Sequence, residues 1–403
     1  MEAYLAKQPI FNTKKNVYAY ELLFRDGLSN AMPKIDGDTA TSKLLSSSFF
    51  TIGIDNITGG KKAFINFTQN LLIKEIPLIF PKETTVVEVL EDVEPTDEVI
   101  SACQNFSKKG YTIALDDFIF KENLRPLIDL CDIIKIDFRL TPIDEVKEVV
   151  KSLSCSKIKF LAEKVETNDE FVKALDMGFD FFQGYFFSKP QIIKGKEISS
   201  SKLSLLQIMA EVNKKDFEFS KVEKLISQDV SISYKLLRYI NSSFFKPLQE
   251  ISSINKALIL LGEKEVKRFL SLMILSNVSS HKPTELIRNS CIRGKFCELL
   301  TKLPNVSESQ YELFILGLFS SIDAILDMPM ADILNKLSLS SEIRDALISK
   351  KGKLSNYVNL IESYEKGEWE NTAKIITTLN FDEREIPELY FEACSWSNQF
   401  SGL

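Results

Sequence analysis

The sequence predicts an α/β domain built as a small (β/α) barrel, followed by an all-α domain. The chain has 403 residues, which is long for a single hydrophobic core. Short β-type runs alternate with helical patterns as far as Lys189-Pro190, and beyond that point apolar residues recur three and four positions apart. The polar, turn-prone segment 194–201 marks the change. We therefore expect domains at residues 1–195 and 200–403.

Seven short runs rich in Val, Ile and Phe are the strand candidates of the first domain. They lie at residues 17–23, 63–68, 84–90, 112–118, 133–138, 158–165 and 179–183. Their nearly continuous apolarity is typical of strands buried on both faces. Helical periodicity separates them, for example at 44–52, 97–109 and 168–177. This order predicts repeated βα units in a parallel sheet that closes into a barrel, with an open doubly wound sheet as the alternative.

Composition excludes several classes of protein. The net charge is −6, so the chain lacks the basic footprint of a nucleic-acid binder. No charged leader precedes an apolar run, and no stretch has the length of a membrane span, so we expect a cytoplasmic protein with no membrane partner. The six cysteines are scattered and fit reduced thiols. His281 is the single histidine, which excludes a histidine metal cluster.

Polar side chains follow the apolar runs at the carboxyl ends of the predicted strands. They are Glu21, Asn66, Glu88, Asp116, Asp117, Lys135, Glu163 and Gln183. In a barrel these ends converge on one mouth, where gathered carboxylates would raise each other's pKa values. Divalent cations remove that cost, and oxygen ligands without His or Cys select Mg²⁺ or Mn²⁺. The pattern predicts a two-metal site for phosphoester hydrolysis, and scattered salt bridges on the rim are the alternative.

The strings that contain these residues resemble the EAL domain, the bacterial cyclic di-GMP phosphodiesterase module. In family order they are KQPI at 7–10, ELLFR at 21–25, FINF at 64–67, EVLE at 88–91, DDF at 116–118, KID at 135–137, AEKVE at 162–166 and QGYFFSKP at 183–190. The resemblance covers residues 1 to about 193 and implies a modified (β/α)8 barrel that takes cyclic di-GMP as its ligand.

The resemblance also implies a role for each residue of the site. The residues expected to hold two Mg²⁺ or Mn²⁺ ions are Glu21, Asn66, Glu88, Asp116 and Asp117. Lys135 is expected near the nucleophilic water, and Glu163 and Gln183 complete the active site. Gln8 and Arg25 are expected to contact the dinucleotide, Arg25 through a phosphate oxygen.

One segment departs from the family pattern. After DDF the family runs G-T-G-x-S-S, a loop that supports dimer-coupled activity, whereas here the residues are IFKEN at 119–123. Glu91 resembles the glutamate that anchors this loop, although the loop itself is replaced. Bulkier residues cannot follow the backbone path of a glycine loop. An inactive cyclic di-GMP receptor is therefore an alternative to an active phosphodiesterase, and a protein-interaction scaffold is a third reading.

The second half resembles the HDOD domain, a helical relative of metal-dependent HD phosphohydrolases that lacks their His-Asp dyad. The matching strings lie at 229–242, 254–262 and 316–324. The resemblance implies a non-catalytic domain that relays a signal or recruits a protein partner, and Asn241 in the first string is either a helix cap or a binding residue. Homodimerisation and the role of the segment after Lys350 are left open.

Overall fold

The computed structural model describes residues 3–26, 54–153, 157–189, 210, 218–227, 230–241, 245, 251–278, 282–337 and 339–398. The predicted helix at 44–52 and His281 lie outside these residues. Two compact units form, one of Met1–Lys189 with Leu360–Asn398 and one of Pro190–Asn359 with Gln399–Leu403. The domain ranges 1–195 and 200–403 stay a prediction, since the contacts group the segment Leu360–Asn398 with the first unit.

Eight strands close into a barrel in the order β1 to β8, which confirms the predicted barrel rather than the open sheet. They are β1 Ala3–Asn12, β2 Val17–Asp26, β3 Lys62–Phe67, β4 Thr85–Val89, β5 Thr112–Leu115, β6 Ile133–Asp137, β7 Lys159–Glu163 and β8 Phe181–Gln183. Strands β2 to β8 pair in parallel. Strand β1, which was not among the seven predicted strands, pairs antiparallel with both β2 and β8.

A hairpin joins β1 to β2, and a proline inside β1 explains why the sequence did not predict this strand. Asn12 turns the chain because its Oδ1 accepts hydrogen bonds from the backbone N–H groups of Lys14 and Asn16, each at 3.0 Å. Lys15 completes the turn in the left-handed region with φ 59°. Pro9 lies inside β1 and has no N–H to donate, and a proline in a candidate strand argues against that assignment from sequence alone.

Among the described residues, six helices follow the barrel strands of the first unit. They are α1 Ile54–Thr58, α2 Gln69–Ile73, α3 Asp97–Lys109, α4 Arg125–Ile128, α5 Ile143–Leu153 and α6 Asn168–Asp176. Helix α3 has the predicted bounds: the Thr96 side chain accepts from the Val99 N–H at its start, and Gly110 ends it with φ 88°. Thr167 and Glu170 form a capping box at the start of α6.

The second unit is helical, as predicted. Its helices are α7 Phe219–Ser227, α8 Val230–Ile240, α9 Ile254–Val278, α10 Thr284–Leu299, α11 Gln310–Phe319, α12 Ile322–Leu326, α13 Met330–Leu334 and α14 Ser341–Ile348. Helix α9 is interrupted at Gly262, whose φ is 71°. Three helices end the chain, α15 Lys353–Glu365, α16 Trp369–Leu379 and α17 Glu385–Asn398. Among the residues described, no helix combines the length and the apolarity needed to cross a membrane.

One apolar residue from each strand fills the interior of the barrel. This core layer consists of Ile10, Ala19, Phe64, Val86, Ala114, Ile133, Leu161 and Phe181. Side chains alternate between the two faces of a strand, so a residue two positions away along each strand also faces the interior. Towards the carboxyl ends of the parallel strands, that step reaches a second layer, which forms the site.

Candidate active site at the barrel mouth

A ring of eight polar residues lies one layer above the apolar core. Each stands two positions from a core-layer residue on or directly after its own strand: Gln8, Glu21, Asn66, Glu88, Asp116, Lys135, Glu163 and Gln183. The structure therefore brings together seven of the residues predicted from the strand ends, with Gln8 as the eighth. Glu88 and Lys135 are fully buried, and Glu21, Glu163 and Gln183 are nearly so.

Lys135 is the cation at the centre of this ring. Its Nζ donates to Glu88 and lies 2.7 Å from Asp116 Oδ1, 2.9 Å from Glu163 Oε1 and 3.6 Å from Glu21 Oε2. One buried ammonium group thus faces four carboxylates. Burial alone would lower the pKa of Lys135, but the four carboxylates outweigh burial and raise this pKa well above its usual value.

Amide side chains occupy the other side of the ring. Gln183 Nε2 donates to Glu21 Oε2 at 2.6 Å and to Gln8 Oε1 at 3.0 Å. Asn66 Nδ2 donates to Glu21 Oε1 at 3.3 Å. Both carboxylate oxygens of Glu21 are therefore held by amide donors, which fixes the carboxylate in one orientation.

The negative charge of the ring exceeds its positive charge, and two carboxyl groups respond by shifting their pKa values. Burial, together with the neighbouring carboxylates Glu21 and Asp116, raises the pKa of Glu88 well above its usual range despite Lys135. Burial and the same two carboxylates raise the pKa of Glu163 to about 8. Without another cation, the ring favours protons on these groups.

Several oxygen atoms of the ring fit a metal ion. Five buried oxygens of the ring and of the adjoining Asp117 have no hydrogen-bond donor among the residues described: Asn66 Oδ1, Glu88 Oε2, Asp117 Oδ1, Glu163 Oε2 and Gln183 Oε1. Asp116, Asp117 and Glu163 each offer a carboxylate oxygen, and these oxygens all lie within 4.8 Å of one another. Carboxylate and amide oxygens are the ligands that hard divalent cations prefer. The donor set therefore fits such a cation.

Arg25 and Glu91 lie outside the ring. Arg25 is half-buried on β2, four positions beyond Glu21, and forms no hydrogen bond or ion pair with another described residue. Glu91 is exposed in the turn after β4 and lines a cavity of about 130 Å³ with Asp116, Asp117 and Ile119. Its predicted role as a loop anchor stays a prediction, since Glu91 has no hydrogen-bond partner among the residues described.

Lys164 belongs to the surroundings of the site and was not among the residues predicted from the sequence. It stands where the family motif A-E-G-V-E has glycine, and it keeps a glycine-like φ of 53°. Its Nζ pairs with Asp137 and lies 3.8 Å from Asp117 Oδ1. Burial alone would raise the pKa of Asp137, but the hydrogen bond from Lys164 contributes to lowering it. In the sequence, a lysine at a position where the family motif has glycine was the signal that could have indicated this role.

In the second unit, Asn241 has a structural role. Its Nδ2 donates to the carbonyl oxygens of Leu237 and Ile251, each at 2.8 Å, and its Oδ1 accepts from the Ile251 N–H at 2.9 Å. The side chain thus fastens the segment at Ile251 to the end of α8. Of the two readings left open for Asn241, these contacts match the helix cap.

Comparisons with known proteins agree with this architecture. The family model of the EAL domain matches residues 46–190, and that of the HDOD domain matches residues 200–343. The cyclic di-GMP phosphodiesterase CdgJ of Vibrio cholerae is 38% identical over 403 residues, which cover 99% of this chain and 93% of that protein. The uncharacterized protein YuxH of Bacillus subtilis is 38% identical over 404 residues, covering 98% of each chain.

These matches confirm the resemblance found in the sequence: the protein is a two-domain EAL and HDOD protein. It belongs to the EAL–HDOD family that includes CdgJ of Vibrio cholerae. Among solved structures, a standalone EAL protein from Vibrio cholerae O395 in its c-di-GMP bound form is 26% identical, with a TM-score of 0.38, covering 47% of this chain and 92% of that one.

Proposed function

We propose that this protein hydrolyses cyclic di-GMP to the linear dinucleotide pGpG at the mouth of its barrel. The observation that carries the proposal is the set of four carboxylates around Lys135, three of them buried, with acceptor oxygens that have no donor among the residues described. The phosphodiesterase CdgJ, 38% identical along nearly the whole chain, supports cyclic di-GMP as the substrate.

The residues that would hold two Mg²⁺ or Mn²⁺ ions are Glu21, Asn66, Glu88, Asp116 and Asp117. Bound divalent cations lower the pKa of a coordinated water and neutralise charge on the phosphodiester. Lys135 holds the carboxylates together and would orient the attacking water. Glu163, whose Oε1 lies 2.9 Å from Lys135 Nζ, would complete the active site beside that water.

The amide groups of the ring would position the substrate. Gln183 and Gln8 form one hydrogen-bonded pair, and Gln183 keeps a buried acceptor, Oε1, without a donor among the residues described. Arg25, further towards the carboxyl end of β2, would meet a phosphate oxygen of the dinucleotide as a bidentate donor. Gln8 and Arg25 thus act in binding, and the carboxylates act on the reacting phosphodiester.

A non-catalytic cyclic di-GMP receptor is the second candidate. Two observations favour it: Glu91 is exposed without a hydrogen-bond partner among the residues described, and Ile119 and Phe120 after Asp117 are exposed apolar residues. If Glu91 does not anchor the loop after Asp117, the metal ligands Asp116 and Asp117 are held less firmly. Binding without turnover is the outcome that distinguishes this candidate.

For the second unit we propose a non-catalytic role in recruiting a protein partner, in line with its HDOD family match. Homodimerisation through the barrel is a further proposal, and Ile119 and Phe120 are the exposed apolar groups available for it. We also propose a cytoplasmic location, because the cysteines described are buried and free of disulfides, as in a reducing compartment.

Single-turnover hydrolysis with Mn²⁺ beside a binding titration in Ca²⁺ tests the proposed function. We expect the wild-type protein to release pGpG, and we expect Glu21→Ala to lower the rate by more than about 100-fold, because loss of an outer contact to a metal ligand alone costs 10- to 100-fold. Binding without product would establish the receptor. Absence of both would leave the interaction scaffold.

A further inference from the structure

The C-terminal segment Leu360–Asn398 is anchored on the barrel through aromatic packing against β1. Tyr4 is fully buried, and its hydroxyl donates to the carbonyl oxygen of Glu383 at 2.5 Å. The Tyr4 ring lies 6.1 Å from that of Tyr364 and 5.8 Å from that of Trp369, centroid to centroid. Tyr390 packs on Tyr364 at 4.6 Å. This cluster fixes the turn between α15 and α16 relative to the barrel.

That turn, Lys366-Gly367-Glu368, reaches the rim of the polar ring. Gln8, a member of the ring, donates from Nε2 to the carbonyl oxygen of Lys366 at 3.2 Å. Gly367 has φ 69°, and a Cβ added there would lie 2.8 Å from Leu23 Cδ1. Leu23 stands on β2 midway between Glu21 and Arg25. The turn therefore contacts residues that adjoin both the metal-ligand candidate Glu21 and the phosphate-contact candidate Arg25.

The hydrogen bonds of the turn set the orientation of the amide groups in the ring. A main-chain carbonyl can only accept, so Gln8 must present its NH₂ group to Lys366 and its Oε1 to Gln183. Gln183 then donates to Gln8 and to Glu21, and its own Oε1 stays open. The carbonyl of Lys366 thus begins a chain of oriented groups that ends at a carboxylate of the site.

Lys366 also brings a positive charge to this rim. Its Nζ lies 5.3 Å from the centroid of the Tyr185 ring, and Tyr185 follows Gln183 by two positions. Its side chain is 39% exposed, and its ion pair with Glu368 is loose at 3.9 Å. The four ring carboxylates carry more charge than Lys135 offsets, so an anionic dinucleotide is attracted to the mouth only by further cations. The Lys366 ammonium group is a candidate for such a cation.

We propose that the turn at Lys366 is part of the ligand site of the barrel and that the Lys366 ammonium pairs with a phosphate of the bound dinucleotide. The proposal rests on the proposed function, since it takes cyclic di-GMP as the ligand. It gives the C-terminal segment a role in ligand binding in addition to its role in packing.

Equilibrium binding of cyclic di-GMP to the full-length protein in Ca²⁺, at several salt concentrations, tests this proposal. We expect Lys366→Glu to weaken binding by about tenfold or more and to flatten the salt dependence, because one charge-assisted contact to phosphate is lost. Lys366→Arg should keep most of the affinity. The matched control is Lys374→Glu, which makes the same change of net charge at an exposed lysine on α16.

Two outcomes overturn the proposal, and they are distinguishable. If wild-type protein binds cyclic di-GMP and Lys366→Glu matches Lys374→Glu in affinity and salt dependence, Lys366 does not contact the ligand and the proposed function stands. If wild-type protein fails to bind cyclic di-GMP at all, the proposed function fails and this inference fails with it. A structural role for Lys366 alone would lower the melting temperature and leave the salt dependence unchanged.

Discussion

Each of the two units contains a cluster of buried and partly buried ionic groups, and the balance of charge within the clusters differs. Among the described residues of the barrel, Lys135 alone faces Glu21, Glu88, Asp116 and Glu163. In the helical unit, Arg268 pairs with Glu265 and lies 2.7 Å from Glu298, and Lys295 also pairs with Glu298 at 3.3 Å. The second cluster therefore has two cations for two carboxylates.

The difference separates a structural cluster from a functional one. Burying charges costs free energy unless each is paired, and the helical cluster meets that condition with its own side chains. The barrel cluster does not, and it holds two carboxyl groups with raised pKa values instead. A buried excess of carboxylates is stable only with protons or with added cations, so the excess itself indicates a cation site.

Removing the central cation of each cluster should sharpen this contrast. We expect Lys135→Met to lower the free energy of unfolding of the metal-free protein by about 3 kcal/mol, because four carboxylates lose their common partner. Mn²⁺ at 100 times its dissociation constant should restore about 2.7 kcal/mol, since binding to the folded state stabilises it. Urea denaturation with and without Mn²⁺ measures both effects.

The control for that prediction is the equivalent change in the balanced cluster. Arg268→Met should cost about 2 kcal/mol, less than Lys135→Met, because Lys295 still faces Glu298. Mn²⁺ should not reverse this loss beyond its effect on wild-type protein. If Mn²⁺ at one concentration stabilises Lys135→Met no more than it stabilises Arg268→Met, the two clusters do not differ in the way described.

A smaller effect is expected at Lys164, the cation beside the second candidate metal ligand, Asp117. Lys164→Gly removes an ammonium group 3.8 Å from the Asp117 carboxylate and places glycine at φ 53°, so Mn²⁺ affinity should rise about threefold. The expected gain is small because solvent screens the lysine ammonium, whose side chain is 49% exposed. Lys164→Arg keeps the charge and should match wild type; a calorimetric titration in which Lys164→Gly binds no tighter contradicts the prediction.

The strand ends allowed most of the ring to be predicted from the sequence. Glu88, Lys135 and Glu163 each follow an apolar run. Burying a charged group in that position costs much free energy, so such a residue indicates a functional site. Strand β1 could not be predicted in the same way, because Pro9 and the polar residues Lys7 and Gln8 interrupt its apolar pattern. Gln8 entered the predicted site only through the resemblance to the EAL domain.

Contacts between distant parts of the chain could not be predicted from the sequence. The hydrogen bond from Gln8 to Lys366 joins residues 358 positions apart, and no local pattern encodes such a pairing. The helical periodicity after Lys350 indicated helices and gave no information about the surface on which they pack. Tyr390 and Trp369 became interpretable only beside Tyr4, whose partners lie at the other end of the chain.

The number of Mn²⁺ ions bound by the full-length protein tests the central claim most directly. If the excess of carboxylates in the ring is a two-metal site, equilibrium titration of wild-type protein will show two ions per chain, and Glu88→Gln will bind fewer while remaining folded. A wild-type protein that binds no Mn²⁺, or a Glu88→Gln variant with the same stoichiometry and affinity as wild type, would contradict the account.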